Sequence, residues 1–242
     1  MKQDDSEKKV DRLKLRKLLG TIYSSNTKEE INFISNQLLQ ILDDFSSKSS
    51  YEEISDNERW DESYSVLITY ADSVFKNGES TLITLRDFLG KHLGSLSKVV
   101  HILPFLKSTS DGGFAVSSYE CLEEKFGNWD DLKNISQKHI LMADLVLNHI
   151  SSSHPWVQQF IKSEEPGISN VFSPQQNLDW TNVVRPRSSS LFSQVNTEDG
   201  SKQVWTTFGP DQIDLNWHNP KMTLEFLNLI INYLSNGIKW FR

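Results

Sequence analysis

The stretch Lys138–His154 reads KHILMADLVLNHISSSH. Its centre, Ile140–Val146, is an apolar run interrupted by one carboxylate, Asp144. A run this short, bounded by polar residues, reads as a buried strand. Asn148, His149 and a serine-rich segment follow it. The strand is therefore expected to deliver polar groups at its C-terminal end.

Working outward, similar short strands are expected at Ser65–Tyr70 (SVLITY), Val99–Leu103 and Ile238–Arg242. Helical spacing appears between them at Leu82–Leu93, Asn128–Gln137 and Leu224–Leu234, with Gly237 as a stop signal after the last. Strands alternating with helices imply βα units and a parallel sheet, of barrel or doubly wound form. Ile150–Asn219 shows no such alternation and is rich in Ser, Asn, Asp, Pro and Trp. A loop of this length in a compact fold is usually functional. It follows the third strand, on the side where a barrel keeps its active site.

The N-terminal part differs. Residues 1–9 are charged and are expected to fray. Val10–Ile22 has a helical pattern. Thr27 and Glu30 then form a capping-box signature, followed by Ile31, Ile34, Leu38, Ile41 and Phe45 on one helix face. This pattern fits either an oligomerisation helix or a helical hairpin packed within its own domain. Ser46–Arg59 is polar and reads as a linker.

Composition narrows the class. With 242 residues, 37% hydrophobic and 24% charged, the chain can bury one large core or two small ones. A net charge of −7 disfavours nucleic acid and anionic membrane surfaces. No apolar segment is long enough to span a bilayer, and MKQDDSEKKV lacks the apolar core of a secretory signal. The single cysteine, Cys121, allows no disulfide framework within the chain, so a reducing, cytoplasmic setting is expected.

Polar clusters follow each of the first three strands: Tyr70-Ala71-Asp72, Ser108–Phe114 (STSDGGF) and Asn148-His149. The Gly112-Gly113 pair allows close backbone approach beside Asp111, and Phe114 and Tyr119 offer aromatic faces. Carboxylate, imidazole and aromatic surface suit a small polar ligand such as a sugar. Each residue also has a plainer role. Asp144 could be a buried structural carboxylate, His149 could cap a loop, and Asp111-Gly112-Gly113 could be only a turn. Neither Cys nor carboxylate spacing makes a metal site of His149 and His154. Arg185-Pro186-Arg187 places two guanidinium groups in the long loop, suited to phosphate or carboxylate or to surface ion pairs.

Taken together, these motifs resemble the sucrose phosphorylase branch of the α-amylase-like glycoside hydrolases, including members acting on sucrose 6-phosphate or glucosylglycerate. The resemblance runs from about Val66 to Arg242. It rests on VLITYADS (Val66–Ser73), VHILPF (Val100–Phe105), STSDGGFAV (Ser108–Val116), FGNWDDL (Phe126–Leu132) and ADLVLNHIS (Ala143–Ser151). It continues through VVRPRSS (Val183–Ser189), VWTTFGPDQIDLN (Val204–Asn216) and GIKWFR (Gly237–Arg242). The helical N-terminal part is similar to the leader of glucosylglycerate-type members.

The resemblance implies an α/β fold, the N-terminal part of a (β/α)8 TIM barrel with a B domain inserted after strand 3. The expected divisions are 1–60 (helical extension and linker), 61–149 (strands 1–3 with helices), 150–219 (B-domain-like insertion) and 220–242 (helix 3 and the start of strand 4). It implies retaining phosphorolysis of an α-glucoside to glucose 1-phosphate, with an α-glucoside and inorganic phosphate as partners and no metal or organic cofactor. Asp111 and His149 are then expected to hold glucosyl hydroxyls, with Phe114 as an apolar wall. Arg187 and Gln212 would face phosphate or the leaving group, Phe208 would line the acceptor side, and Arg242 would orient the nucleophile. Tyr70 and Asp144 belong to the same motifs, Asp144 in a supporting role.

In the family the nucleophile lies two residues beyond the position of Arg242, and the acid/base later still. The 242 residues are therefore expected to be an N-terminal fragment that does not turn over by itself; steady glucose 1-phosphate release would refute this. Three positions depart from the family pattern: Lys107 where proline is common, the bulky Lys239-Trp240-Phe241, and Asp111-Gly112 in place of Asp-Arg or Asp-Asp; of these, Lys107 and Gly112 bear on subsite details and substrate preference. A hydrolase or transglucosidase of the same superfamily, or a non-catalytic carbohydrate-binding remnant, are the rival readings.

Overall fold

A computed structural model of the chain describes residues 12–48, 61–174, 179–184 and 187–242. The chain divides into two compact units. One gathers the described residues of 1–54 with 217–231, and the other those of 55–216 with 232–242.

In the first unit, α1 (Arg12–Ile22) and α2 (Lys28–Lys48) form an antiparallel hairpin. The expected capping box starts α2. The Glu30 N–H donates to Thr27 Oγ1 at 3.2 Å, and Glu30 Oε2 accepts from the Thr27 N–H at 2.9 Å. Ile31, Ile34 and Leu38 are buried with Leu19 and Tyr23, and Leu15, Leu224 and Leu227 pack against them. Ile41 and Phe45 are half-buried. The apolar stripe thus closes an internal core, the hairpin alternative of the two. Most of the expected linker, 49–60, lies outside the described residues, as do 1–11.

In the second unit, β1 (Val66–Thr69), β2 (Val99–Ile102), β3 (Ile140–Ala143) and β8 (Ile238–Phe241) form a parallel sheet in the order β1-β2-β3-β8. The register pairs Val66 with Val99, Val99 with Ile140, and Leu141 with Ile238. All four residues of β2 are buried, which explains its unbroken VVHI run. The connections carry α3 (Thr81–Phe88) and α4 (Trp129–Ser136), whose Leu82, Leu85, Leu132 and Ile135 are buried. Each such side chain contributes about 1.5–3 kcal/mol. Asn128 caps α4 by accepting from the Asp130 and Asp131 N–H groups.

Three expected boundaries move. The Leu82–Leu93 helix is α-helical only to Phe88, and Leu89–Leu93 forms a wider π-type turn. The Ile140–Val146 run is regular strand only over Ile140–Ala143, although Arg242 continues the backbone ladder by bonding to Ala143 O and the Leu145 N–H. The stretch Ile150–Asn219, expected to lack the strand–helix alternation of its flanks, carries short elements of its own. These are β4 (His149–Ser151), α5 (Pro155–Ile161), α6 (Gly167–Asn170), the antiparallel hairpin of β5 (Phe192–Thr197) and β6 (Gly200–Trp205), and β7 (Gln212–Asp214). β4 pairs antiparallel with β7, setting His149 opposite Asp214 and Ser151 opposite Gln212.

α7 (Met222–Ser235) ends at Gly237, where φ is +87° and an added Cβ would collide with the Ser136 side chain. Beyond it the bulk of β8 finds aromatic partners. Trp240 stacks on Tyr64 at 5.8 Å and Phe241 on Tyr233 at 6.2 Å. Lys107 is accommodated as simply: its N–H donates to Cys121 O at 2.9 Å, a bond that proline could not make. Among the described residues no helix is long and apolar enough to cross a membrane.

Candidate functional site

The loop after β2 turns tightly at Asp111–Gly113. Asp111 adopts φ +54°, a left-handed conformation that aspartate tolerates better than most residues. Gly113 follows at φ +103°, with its backbone against Pro104 so that a Cβ would collide. This turn presents the Asp111 carboxylate outward. The β4–β7 pair brings His149 and Gln212 to the same place, although they are 63 residues apart.

Gln212 joins the cluster. Its buried amide Nε2 donates to Asp111 Oδ2 at 2.8 Å and lies 3.1 Å from His149 Nε2. His149 Nε2 also lies 3.2 Å from the Phe114 carbonyl. One nitrogen serves only one of these partners at a time. Unprotonated, Nε2 accepts from Gln212; protonated, it donates to Phe114 O. Burial lowers the His149 pKa, only partly offset by the Phe114 carbonyl and the Asp111 charge, so the imidazole is neutral at pH 7. Phe208 packs on His149 with ring centroids 5.0 Å apart, and the Arg187 guanidinium sits 5.6 Å from the Phe208 centroid.

Six of the seven residues singled out in the sequence thus share one neighbourhood: Asp111, Phe114, His149, Arg187, Phe208 and Gln212. Of the Arg-Pro-Arg segment, Arg185 and Pro186 lie outside the described residues. Arg242 enters a different pairing. Its Nη1 donates to Asp144 Oδ1 at 2.9 Å, and the other oxygen, Oδ2, lies 2.8 Å from His101 Nε2. His101 and Asp144 are both buried, and the Arg242 backbone extends the ladder beside Ala143 and Leu145. Asp144 is therefore a linchpin between strand ends.

Two aromatic or histidine candidates are committed elsewhere. The Tyr119 hydroxyl donates to Val146 O at 3.0 Å, and its ring packs on His154 and Trp156. Burial raises its pKa well above the usual phenol value. His154 caps α5 by accepting the Trp156 N–H at Nδ1, 3.1 Å away, and burial lowers its pKa to about 4. Tyr70 lines a cavity of about 350 Å³ together with Asp72, Ser110, Gly112 and Lys125. Lys125 pairs with Asp72 there at 2.7 Å.

One residue at the centre of the contacts escaped the sequence reading. Asp211, beside Gln212, accepts at Oδ2 from Thr109 Oγ1 (2.6 Å) and Ser110 Oγ (2.5 Å), and at Oδ1 from the Ser152 N–H (3.1 Å) and Ser152 Oγ (2.5 Å). Burial raises its pKa, but the hydrogen bonds from Ser110, Ser152 and Thr109 outweigh this and hold it below the ordinary carboxylate value. No local pattern marks Asp211 in the sequence, because its partners lie 59 to 102 residues away.

Comparison with known proteins gives the family. The family description "Alpha amylase, catalytic domain" matches residues 87–242. A glucosylglycerate phosphorylase from Allomeiothermus silvanus is 42% identical over 178 residues, covering 74% of this chain and 32% of the relative. A second glucosylglycerate phosphorylase, from Spirochaeta thermophila, is 36% identical over 233 residues, covering 96% of this chain and 39% of the relative. That alignment takes in the N-terminal hairpin region. A crystal structure of sucrose 6F-phosphate phosphorylase from Thermoanaerobacter thermosaccharolyticum superposes with a TM-score of 0.67 at 28% identity, over 74% of this chain and 39% of that one. The chain spans between 32% and 39% of the length of these curated relatives. With more than half of its residues matched, the chain belongs to the alpha-amylase catalytic-domain family.

Proposed function

We propose that the protein is a retaining α-glucoside phosphorylase and that the Asp111–His149–Gln212 cluster binds the transferred glucosyl unit. One observation carries the reading: a single buried amide, Gln212, orients a carboxylate and a neutral imidazole toward the same space. Carboxylate and imidazole accept from or donate to sugar hydroxyls, while Phe114 and Phe208 offer apolar surface for C–H faces. Arg187, held over Phe208, supplies a cation suited to phosphate. The phosphorylase names of the relatives point the same way. On this reading the sheet is part of a (β/α)8 barrel and 150–219 is its B domain.

In the proposed reaction a carboxylate attacks the glucosyl C1 while a carboxylic acid protonates the departing oxygen. A phosphate oxygen then attacks C1, freeing the carboxylate and yielding glucose 1-phosphate with retained configuration. Neither covalent role is assigned within the cluster. Asp111 is bonded to Gln212, and Asp144 is engaged by His101 and Arg242. These residues bind and orient. The aglycone is fructose, fructose 6-phosphate or glycerate.

Two measurements test this. Calorimetric titration with glucosylglycerate, sucrose and sucrose 6-phosphate is expected to show saturable binding of at least one of them, weakened by Asp111→Asn. Assay of a chain completed to the length of the relatives, with the bound glucoside, is expected to release glucose 1-phosphate only when phosphate is present. Glucose release at the same rate without phosphate would favour a hydrolase of the same family. Failure of every α-glucoside to bind would overturn the reading.

A further inference from the structure

We infer that Asp211 is a positioning residue that sets the spacing of the glucosyl-binding groups; the inference rests on the reading of the cluster just proposed. Its carboxylate stands between two loops and divides its oxygens between them. Oδ2 takes the hydroxyls of Thr109 and Ser110, the latter immediately before Asp111. Oδ1 takes the backbone N–H and hydroxyl of Ser152, three residues beyond His149. Asp211 itself immediately precedes Gln212, whose amide spans Asp111 and His149. One carboxylate thus ties together all three segments that carry the cluster.

The hydroxyls form an ordered chain. Ser151 Oγ and Thr109 Oγ1 are 2.6 Å apart, and Thr109 uses its one proton toward Asp211 at 2.6 Å. With that proton committed, Ser151 donates to Thr109, and its longer 3.3 Å contact to Asp211 Oδ1 is the alternative use of the same hydroxyl proton. The Ser151 oxygen also accepts the Ser153 N–H at 3.0 Å, fixing its rotamer. Four donors, three of them short O–H contacts to an ionised acceptor, make this a stiff junction. Asp211 is half-buried and bonded on both oxygens, so it acts through the residues it holds.

The role is geometric, and that decides which variants differ. In Asp211→Asn the amide oxygen can still accept the Ser152 N–H. Its NH2 group can donate to Thr109 and Ser110, whose hydroxyls rotate to accept. Asp211→Ala removes the junction. For the full chain, Asp211→Ala is expected to weaken α-glucoside binding about tenfold or more, as loss of a shared hydrogen-bonded support would. Asp211→Asn is expected to stay within about threefold of the parent on the same scale. The His149 ring NMR signals in the sugar-free protein are expected to shift in Asp211→Ala and to return in Asp211→Asn.

Binding by Asp211→Ala equal to the parent would overturn the inference. So would equal weakening in both variants, which would mark the charge as the working element. If the parent binds no α-glucoside, the functional reading fails separately. The His149 signals then decide alone: a shift in Asp211→Ala supports the clamp and unchanged signals overturn it. If Asp211→Ala does not fold, the double variant Ser110→Ala with Ser152→Ala cuts one donor from each loop and is held to the same expectations.

Discussion

Gln212 is the residue on which the cluster depends most directly. Its carbon stem is buried and its amide has two polar neighbours, Asp111 and His149. Leucine at this position would keep the volume and leave the Asp111 carboxylate free to swing. Gln212→Leu is expected to weaken α-glucoside binding by roughly 10- to 50-fold, the equivalent of one to two lost hydrogen bonds, measured by calorimetry. Arg187 is exposed and touches the cluster only through the Phe208 ring. In a chain completed to the length of the relatives, Arg187→Ala is therefore expected to raise the phosphate concentration needed for half-maximal rate while leaving glucoside binding nearly unchanged, a split that steady-state kinetics reads directly.

At the scale of elements, the stop of α7 is demanding. Gly237 combines a positive φ with the Ser136 side chain lying where a Cβ would go. Gly237→Ala is expected to destabilise the second unit by about 1–3 kcal/mol through backbone strain and that collision, seen as a lower urea midpoint. The element pattern also shows what was readable locally. The four strands of the parallel sheet were legible as short apolar, β-branched runs, although only β2 is buried throughout. The β5–β6 hairpin was overlooked inside a polar stretch, yet the Asp199-Gly200 pair at its turn is a hairpin signal. The β4–β7 pair was not legible at all. Each strand has three residues, and only pairing across more than sixty residues defines them. Along β1, Val66 and Ile68 are exposed at 46% and 61%, on a strand whose partner in the sheet, among the described residues, is β2 alone. An apolar edge of this kind promotes association, so Ile68→Lys is expected to reduce light scattering of the concentrated chain.

For the molecule as a whole, acid is the expected weakness. His154 titrates near 4 when folded and near 6.5 when unfolded, so between these values the unfolded chain binds the extra proton. Its contribution is complete above about pH 6.5 and falls away toward pH 4, by roughly 3 kcal/mol at most. The depressed pKa of Asp211 acts in the same direction at lower pH, its contribution being lost as pH falls through the folded value. Urea midpoints are expected to drop between pH 7 and pH 5. His154→Asn, which keeps an acceptor for the Trp156 N–H but does not titrate, is expected to flatten that slope.

The amino-acid sequence by itself determined the alternation of strands and helices, the capped N-terminal hairpin and the motif residues Asp111, His149 and Gln212. The alternation and the hairpin rest on local periodicity and capping; the motif residues rest on the resemblance of the runs that carry them to the family. Only the tertiary structure decided that Gln212 bridges Asp111 and His149, that Asp144 serves Arg242 and His101, and that Asp211 fastens two loops. The reason is physical. A hydrogen bond depends on distances of about 3 Å between groups that the chain separates by tens of residues, and no local pattern encodes them.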